Sequence, residues 1–286
     1  MIWKVHALKQ VIMDCLINLS VYGLLRFISA TWKTPWKGFF CSDISIMYPY
    51  TPALMDSELY YAIVFTIPII LVLLNSLIMV CRTKEYMGVL QDVYKILSMY
   101  LLGYNASRVT AMIGKRAIGR LRPNFYSACK PSVNCDHMSP FTYIHNFTCA
   151  HETDFTRNSF PSQHSTVAFY TAVFILLYLQ KRPLHGSVVS LSIKHLIQIV
   201  VMQLAWTVAI FRIRNYFHHE SDVLAGIMIG TFWAIVTVYL FLKLDIAQDD
   251  DIHFEEKTNF SLQLKEVKNR DNNGVTCKDQ TTLNVS

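Results

Sequence analysis

Three short stretches of this chain concentrate side chains able to bind or attack phosphorus: KRAIGRLRP at Lys115 to Pro123, SFPSQHS at Ser159 to Ser165, and FRIRNYFHHESDV at Phe211 to Val223. Lys115, Arg122 and Arg212 are cations suited to phosphate oxygens, the arginines as bidentate forks and the lysine as a compact charge. Cleaving a phosphomonoester requires charge stabilisation on the equatorial oxygens, an in-line nucleophile and an acid for the leaving alkoxide. His218 and His164 are the candidates for the last two roles. Asp222 lies four residues after His218, where a helix would begin, so its carboxylate can hold one ring nitrogen and leave the other aimed at phosphorus. The neighbouring His219 then points about 100° away and is expected to tolerate substitution better. Lys115 and Arg122 are seven residues apart and would share a face on a helix, while Pro123 biases Arg122 out of helical geometry and lets it bend back over a site.

The elements that must position these groups are membrane spans. Of 286 residues, 52% are hydrophobic and only 16% charged, which is low in charge for a soluble domain of this length. A helix needs roughly 17 to 25 apolar residues to cross the hydrocarbon. Candidate spans lie at 11–30, 59–80, 93–114, 166–180, 196–211 and 223–242. The first carries Asp14, Asn18 and Arg26, and Pro68 within the second is better tolerated in a membrane helix than in a soluble one. The expected fold is therefore an all-α membrane protein of six transmembrane helices, with one domain over 1–244. The polar stretch 245–286 has a composition that cannot offset the entropy of ordering, which predicts a disordered tail.

An even number of spans puts both termini on one side. Lys4, Lys9, Arg82, Lys84, Lys181 and Arg182 fall on that side, which the positive-inside bias assigns to the cytosol. The three polar stretches end span three, begin span four and join spans five and six, so all face the opposite, extracellular or lumenal side. The loop from Lys115 to Ser165 is basic against the bias, which suggests a use for its charge. It carries NFT at Asn146, a glycosylation acceptor if the loop is lumenal. Cys129, Cys135 and Cys149 lie in the same loop and Cys41 in the other outer one, so two disulfides are expected in any of three pairings. Taken singly, each signal has a plainer reading: basic residues beside spans anchor to head groups, and Ser162 starts a helix as its cap. Their order and common face make the case.

Lys115 followed after six residues by Arg122-Pro123, then Pro161-Ser162-x-His164, then Arg212 with five residues before His218 and three before Asp222, resemble the three-part signature of the type 2 phosphatidic acid phosphatase superfamily. Within it the chain resembles the integral-membrane lipid phosphate phosphatases, from span one through span six. That resemblance implies phosphate binding by Lys115, Arg122 and Arg212 with help from Ser162 and nearby amides. It further implies attack by His218 to form a phosphohistidine, orientation by Asp222 and protonation of the leaving group by His164. No metal or other cofactor is implied. The substrates it implies are phosphatidate, lysophosphatidate, sphingosine 1-phosphate and ceramide 1-phosphate, in the plasma membrane or an internal one, with no nucleic-acid partner and self-association left open.

Two positions depart from the family pattern: Gln163 stands where Gly is usual between Ser162 and His164, and Phe211 stands where Ser usually precedes Arg212. Both leave the primary groups intact. An inactive relative acting in signalling or adhesion would be expected to lack His164, His218 or Arg212. A six-span transporter would find its support in Asn105 and Arg108 inside span three, but would not need an acid, a nucleophile and an orienting carboxylate at these spacings.

Overall fold

The structure is a computed structural model and describes residues 2–52, 57–84, 86–135, 138–151, 154–182 and 188–242; the polar tail and Asn259 lie outside the described residues. Seven helices dominate it: α1 (Ile2–Thr31), α2 (Ser57–Thr83), α3 (Tyr86–Ile118), the short α4 (Phe125–Cys129), α5 (Gln163–Lys181), α6 (Val188–Arg214) and α7 (Glu220–Val236). A π-helical turn, Thr237–Phe241, continues α7. Strands β1 (Phe39–Phe40) and β2 (Tyr143–Ile144) pair antiparallel, with Phe39 opposite Ile144.

Among the described residues four helices are long and apolar enough to cross a membrane: Leu8–Thr31, Leu59–Cys81, Leu191–Arg214 and Glu220–Phe241. Their outer faces expose large apolar side chains such as Leu16, Leu77, Ile199 and Phe232, a surface that water would penalise and lipid would not. The chain is an integral membrane protein on that evidence. The other two expected spans are α3 and α5, which are helical but more polar. The reason is visible for α5, whose residues are buried along most of its length. It packs mainly against α7 and α6, so it meets protein rather than lipid and can carry polar groups that find partners. Tyr170 Oη donates to the Tyr100 carbonyl at 2.7 Å, the Tyr100 and Thr171 hydroxyls pair at 3.1 Å, and Asn75 Nδ2 donates to Tyr178 Oη at 3.0 Å.

The contact between α5 and α7 depends on a missing side chain. A Cβ at Gly226 would stand 2.5 Å from the Ser162 carbonyl oxygen, and Gly230, four residues on, approaches the Thr166 carbonyl in the same way. Small residues at this spacing let two helix backbones touch. Here the touch brings the start of α5, with His164, against the start of α7, with Asp222.

The loops at that end form a small cap of their own. Phe39, Ile46, Phe125, Ile144 and Phe147 make its core. Of the three pairings open from sequence, the cap holds Cys41–Cys135 and Cys129–Cys149. Asn146 is exposed on this cap. The Arg157 guanidinium lies over the Trp36 ring at 3.1 Å and ties the first outer loop to the second.

Candidate active site

Lys115 sits in the last turn of α3, which stops at Ile118 because Gly119 adopts a left-handed φ of +60° and closes the helix with its amide on the Lys115 carbonyl at 3.1 Å. Arg122 is therefore not on the helix with Lys115, and the shared-face spacing does not apply. The two belong together because the chain folds back after Gly119. The Arg122 amide donates to the Thr156 carbonyl at 2.9 Å, and its Nη1 donates to the Phe217 carbonyl at 3.2 Å. Lys115 Nζ donates to the Asn158 carbonyl at 2.7 Å. Both side chains are buried. Burial, followed by the nearby Arg212 charge, pulls the Arg122 pKa down to about 9, which still leaves it protonated at neutral pH.

Ser162 is fully buried and caps α5: its Oγ accepts from the Ser165 amide at 3.4 Å and from the Ser165 hydroxyl at 3.0 Å. The helix-start role considered from sequence is thus the one its oxygen performs. It leaves the first amides of α5, with the positive end of that helix, facing the same region as the cations. His164 lies in the first turn against the rings of Tyr60 and Tyr61, with centroids 5.0 and 5.2 Å away. The Tyr60 hydroxyl donates to the His164 carbonyl at 2.9 Å. The His164 Nε2 is closed off from solvent and has no hydrogen-bond partner among the described residues. Burial, then the charges of Arg212, His218, Lys115 and Arg122, hold the His164 pKa well below 6.5.

The third stretch is a turn between α6 and α7. Arg212, in the last turn of α6, accepts the amides of Phe217 and His218 on its carbonyl, both at 3.2 Å, and rests its guanidinium over the Phe217 ring at 5.4 Å. His218 is 2% exposed. Its Nδ1 is 2.7 Å from the Ser159 carbonyl and 3.8 Å from Asp222 Oδ2. A carbonyl oxygen only accepts, so Nδ1 carries the proton and Nε2 keeps its lone pair. The spacing argument assigned that contact to Asp222. The structure makes the Ser159 carbonyl the direct partner, with Asp222 behind it.

Asp222 is fully buried and heavily bonded. Oδ1 accepts from Arg120 Nη1 at 2.7 Å, and Oδ2 accepts from the Ser159 hydroxyl at 2.5 Å and the His219 amide at 3.0 Å. Its backbone carbonyl receives the Ser162 amide at 2.9 Å, so one residue touches all three stretches. His219 is occupied as well: its Nε2 lies 3.1 Å from the Leu121 carbonyl. Sequence reasoning missed the roles of Ser159, Arg120, Tyr60 and Tyr61. Ser159 and Arg120 stood inside the quoted stretches, but no spacing rule relates them to a residue far along the chain.

All seven of Lys115, Arg122, Ser162, His164, Arg212, His218 and Asp222 lie where the ends of α3, α5, α6 and α7 meet. Beside them, an apolar cavity of about 340 Å³ opens between α2, α5 and α6, lined by Tyr60, Val64, Ala168, Val208 and Phe211 and ending at Arg212. A family model described as the PAP2 superfamily matches residues 94–245, more than half of the chain. The chain belongs to the PAP2 superfamily. Phospholipid phosphatase 1 of Rattus norvegicus is 32% identical over 276 residues, covering 92% of this chain and 95% of that one. Phospholipid phosphatase 2 of Homo sapiens is 32% identical over 263 residues, with 87% and 90% covered. A solved transmembrane PAP2-type phosphatidylglycerolphosphate phosphatase from Bacillus subtilis is 17% identical and covers 84% of this chain and 98% of its own, at a TM-score of 0.39. As a PAP2 member with phospholipid phosphatases 32% identical over most of its length, and with helices apolar enough to cross a membrane, the chain is a membrane phosphatase. Phe211, which departs from the family pattern, lines the apolar cavity.

Proposed function

We propose that this PAP2 phosphatase hydrolyses lipid phosphate monoesters of the phosphatidate, lysophosphatidate, sphingosine 1-phosphate and ceramide 1-phosphate kind through a phosphohistidine. Nε2 of His218 attacks phosphorus, and the P–O bond to the lipid breaks opposite it. Arg212, Arg122 and Lys115 offset charge on the equatorial oxygens. The leaving alkoxide takes a proton from His164. Water then attacks phosphorus while His164 takes its proton; the P–N bond to His218 breaks, returning the lone pair to Nε2, and inorganic phosphate leaves.

The observation that carries this reading is the state of the two imidazoles. His218 has Nδ1 committed to a carbonyl and Nε2 left as a lone pair, while the enclosed Nε2 of His164 has no protein partner among the surrounding cations. A lowered pKa keeps the His218 ring neutral, so its Nε2 lone pair is free to attack. In His164 it suits an acid only once a phosphate dianion cancels the Arg212 and Lys115 charges, so the substrate itself would load the proton.

The apolar cavity ending at Arg212 supports an acyl chain lying between α2, α5 and α6 with its phosphate at the cations. Six spans, cytosolic termini and an extracellular or lumenal site complete the reading. They are supported by α3 and α5 having span-length helices and by the disulfide-bonded cap at the site end. The test measures phosphate release from short-chain phosphatidate in membrane fractions. His218→Ala is expected to abolish release and His164→Ala to reduce it by about 100-fold or more. Equal rates for both variants and the unaltered chain would remove the proposal.

A further inference from the structure

Arg108 is a cation without a counter-charge among the described residues. It lies on α3 seven residues before Lys115, roughly 10 Å further along the helix from the site end. Its guanidinium stands 5.5 Å from the Tyr61 and Tyr104 ring centroids, its Nε is buried without a partner, and among the described residues no carboxylate pairs with it. An intramembrane arginine is costly unless it faces a partner or a polar cavity. Arg108 faces a cavity of about 630 Å³ between α1, α2 and α3, shared with Asn18, Asn105, Tyr61 and Ala62. Asn18 is 8% exposed; its Nδ2 donates to the Asp14 carbonyl at 2.9 Å, yet its buried Oδ1 accepts nothing. Thus one cavity at membrane depth is lined by a guanidinium with no carboxylate partner among the described residues and by an asparagine whose amide oxygen, just behind the cavity surface, is unused. It is distinct from the apolar cavity at Arg212, with which it shares no lining residue, and its Tyr61 stacks on His164.

We infer that the cavity between α1, α2 and α3 binds an anionic single-chain lipid that carries a free hydroxyl near its head group. The anion pairs with Arg108, whose fork matches phosphate or carboxylate oxygens. The hydroxyl donates to Asn18 Oδ1, and the chain leaves toward the bilayer past Leu19 and Phe65. The site does not rest on the phosphatase reading, since neither His164 nor His218 belongs to it.

The probe is a diazirine-tagged phosphonate analogue of lysophosphatidate, which cannot be hydrolysed, added to the full chain in phosphatidylcholine nanodiscs. Cross-links are mapped by mass spectrometry. Labelling is expected on residues 15–22 and 101–108, with about a tenfold loss at those positions in Arg108→Gln. Ala62→Trp, which keeps the arginine and fills the cavity, is expected to lose the label as well, with thermal melting confirming that both variants fold. His218→Ala is expected to label like the unaltered chain, even if it fails to release phosphate. Full labelling of Arg108→Gln would overturn the site. Equal labelling by a tagged lysophosphatidylcholine would overturn the anion requirement, and equal labelling by a tagged fatty acid would overturn the hydroxyl requirement.

Discussion

A hydrogen bond from His218 Nδ1 to the Ser159 carbonyl decides which ring nitrogen can act, and the Ser159 hydroxyl on Asp222 places the carboxylate behind it. Ser159→Ala keeps the carbonyl but takes one donor from a buried carboxylate, a loss of about 1.5–3 kcal/mol for a charged hydrogen bond. The expected outcome is a fall in kcat of at least tenfold with KM little changed, read from phosphate-release kinetics. A rise in KM alongside the fall in kcat would point to a collapsed site instead. The pH profile follows from the direction of the His218 shift. Burial lowers its pKa from 6.5, with the Asp222 contact opposing only in part, so the ring stays neutral as pH falls through 6.5. On its acid side kcat/KM is expected to hold through that value and decline below it, once the substrate's own ionisation is measured separately. An acid limb from the enzyme centred at or above 6.5 would contradict a buried nucleophile. His219, with its ring on the Leu121 carbonyl, is expected to cost stability when replaced by Ala but to retain most of the turnover per folded molecule.

At the scale of elements, the site is a by-product of how closely α5 and α7 approach. Gly226→Leu would drive a side chain into the Ser162 carbonyl and the Ser165 Cβ. Overpacking of this kind costs about 1–3 kcal/mol where the helices can shift, and a shift here separates Ser162 from Asp222. We expect a lowered melting temperature and a loss of most activity. Met228→Leu, on the exposed face of the same helix, should change neither. The cavity between α2, α5 and α6 leads to a second expectation. Phe211→Ala enlarges its end beside Arg212, so the preference among phosphatidates is expected to move toward longer or bulkier chains, measured as the ratio of kcat/KM values. An unchanged ratio would detach Phe211 from chain selection.

At the scale of the molecule, the cap is held by two disulfides and a small aromatic core rather than by helix packing. Cys129→Ser with Cys149→Ser opens the bridge behind Phe125, and removing such a cross-link costs about 2–4 kcal/mol. The Arg122 amide hangs from the Thr156 carbonyl in the same loop, so the expected result is a lower melting temperature accompanied by weaker phosphate binding. Orientation is tested separately. Asn146→Gln should remove a glycosidase-sensitive shift in mobility, and glycosylation at Asn259 would reverse the topology.

Much of this protein is legible in its residues because the membrane simplifies the problem. Apolar runs must be helices in lipid, since backbone groups there have no other partner, and an alternation of six spans is the basis for expecting Lys115, His164 and His218 on one face without any knowledge of packing. The signature spacings single out seven residues as a proposed site, and the folded chain places them where the ends of α3, α5, α6 and α7 meet. Sequence could not pair the four cysteines, end α3 at Gly119 ahead of Arg122, or see that α5 is enclosed by other helices and therefore free to be polar. Nor could it replace Asp222 by the Ser159 carbonyl as the direct partner of His218, or leave Arg108 facing a cavity with no counter-charge among the described residues. Periodicity and hydropathy are properties of neighbours along the chain. The direct partner of His218 is 59 residues away in sequence, and such a contact exists only once the helices have packed.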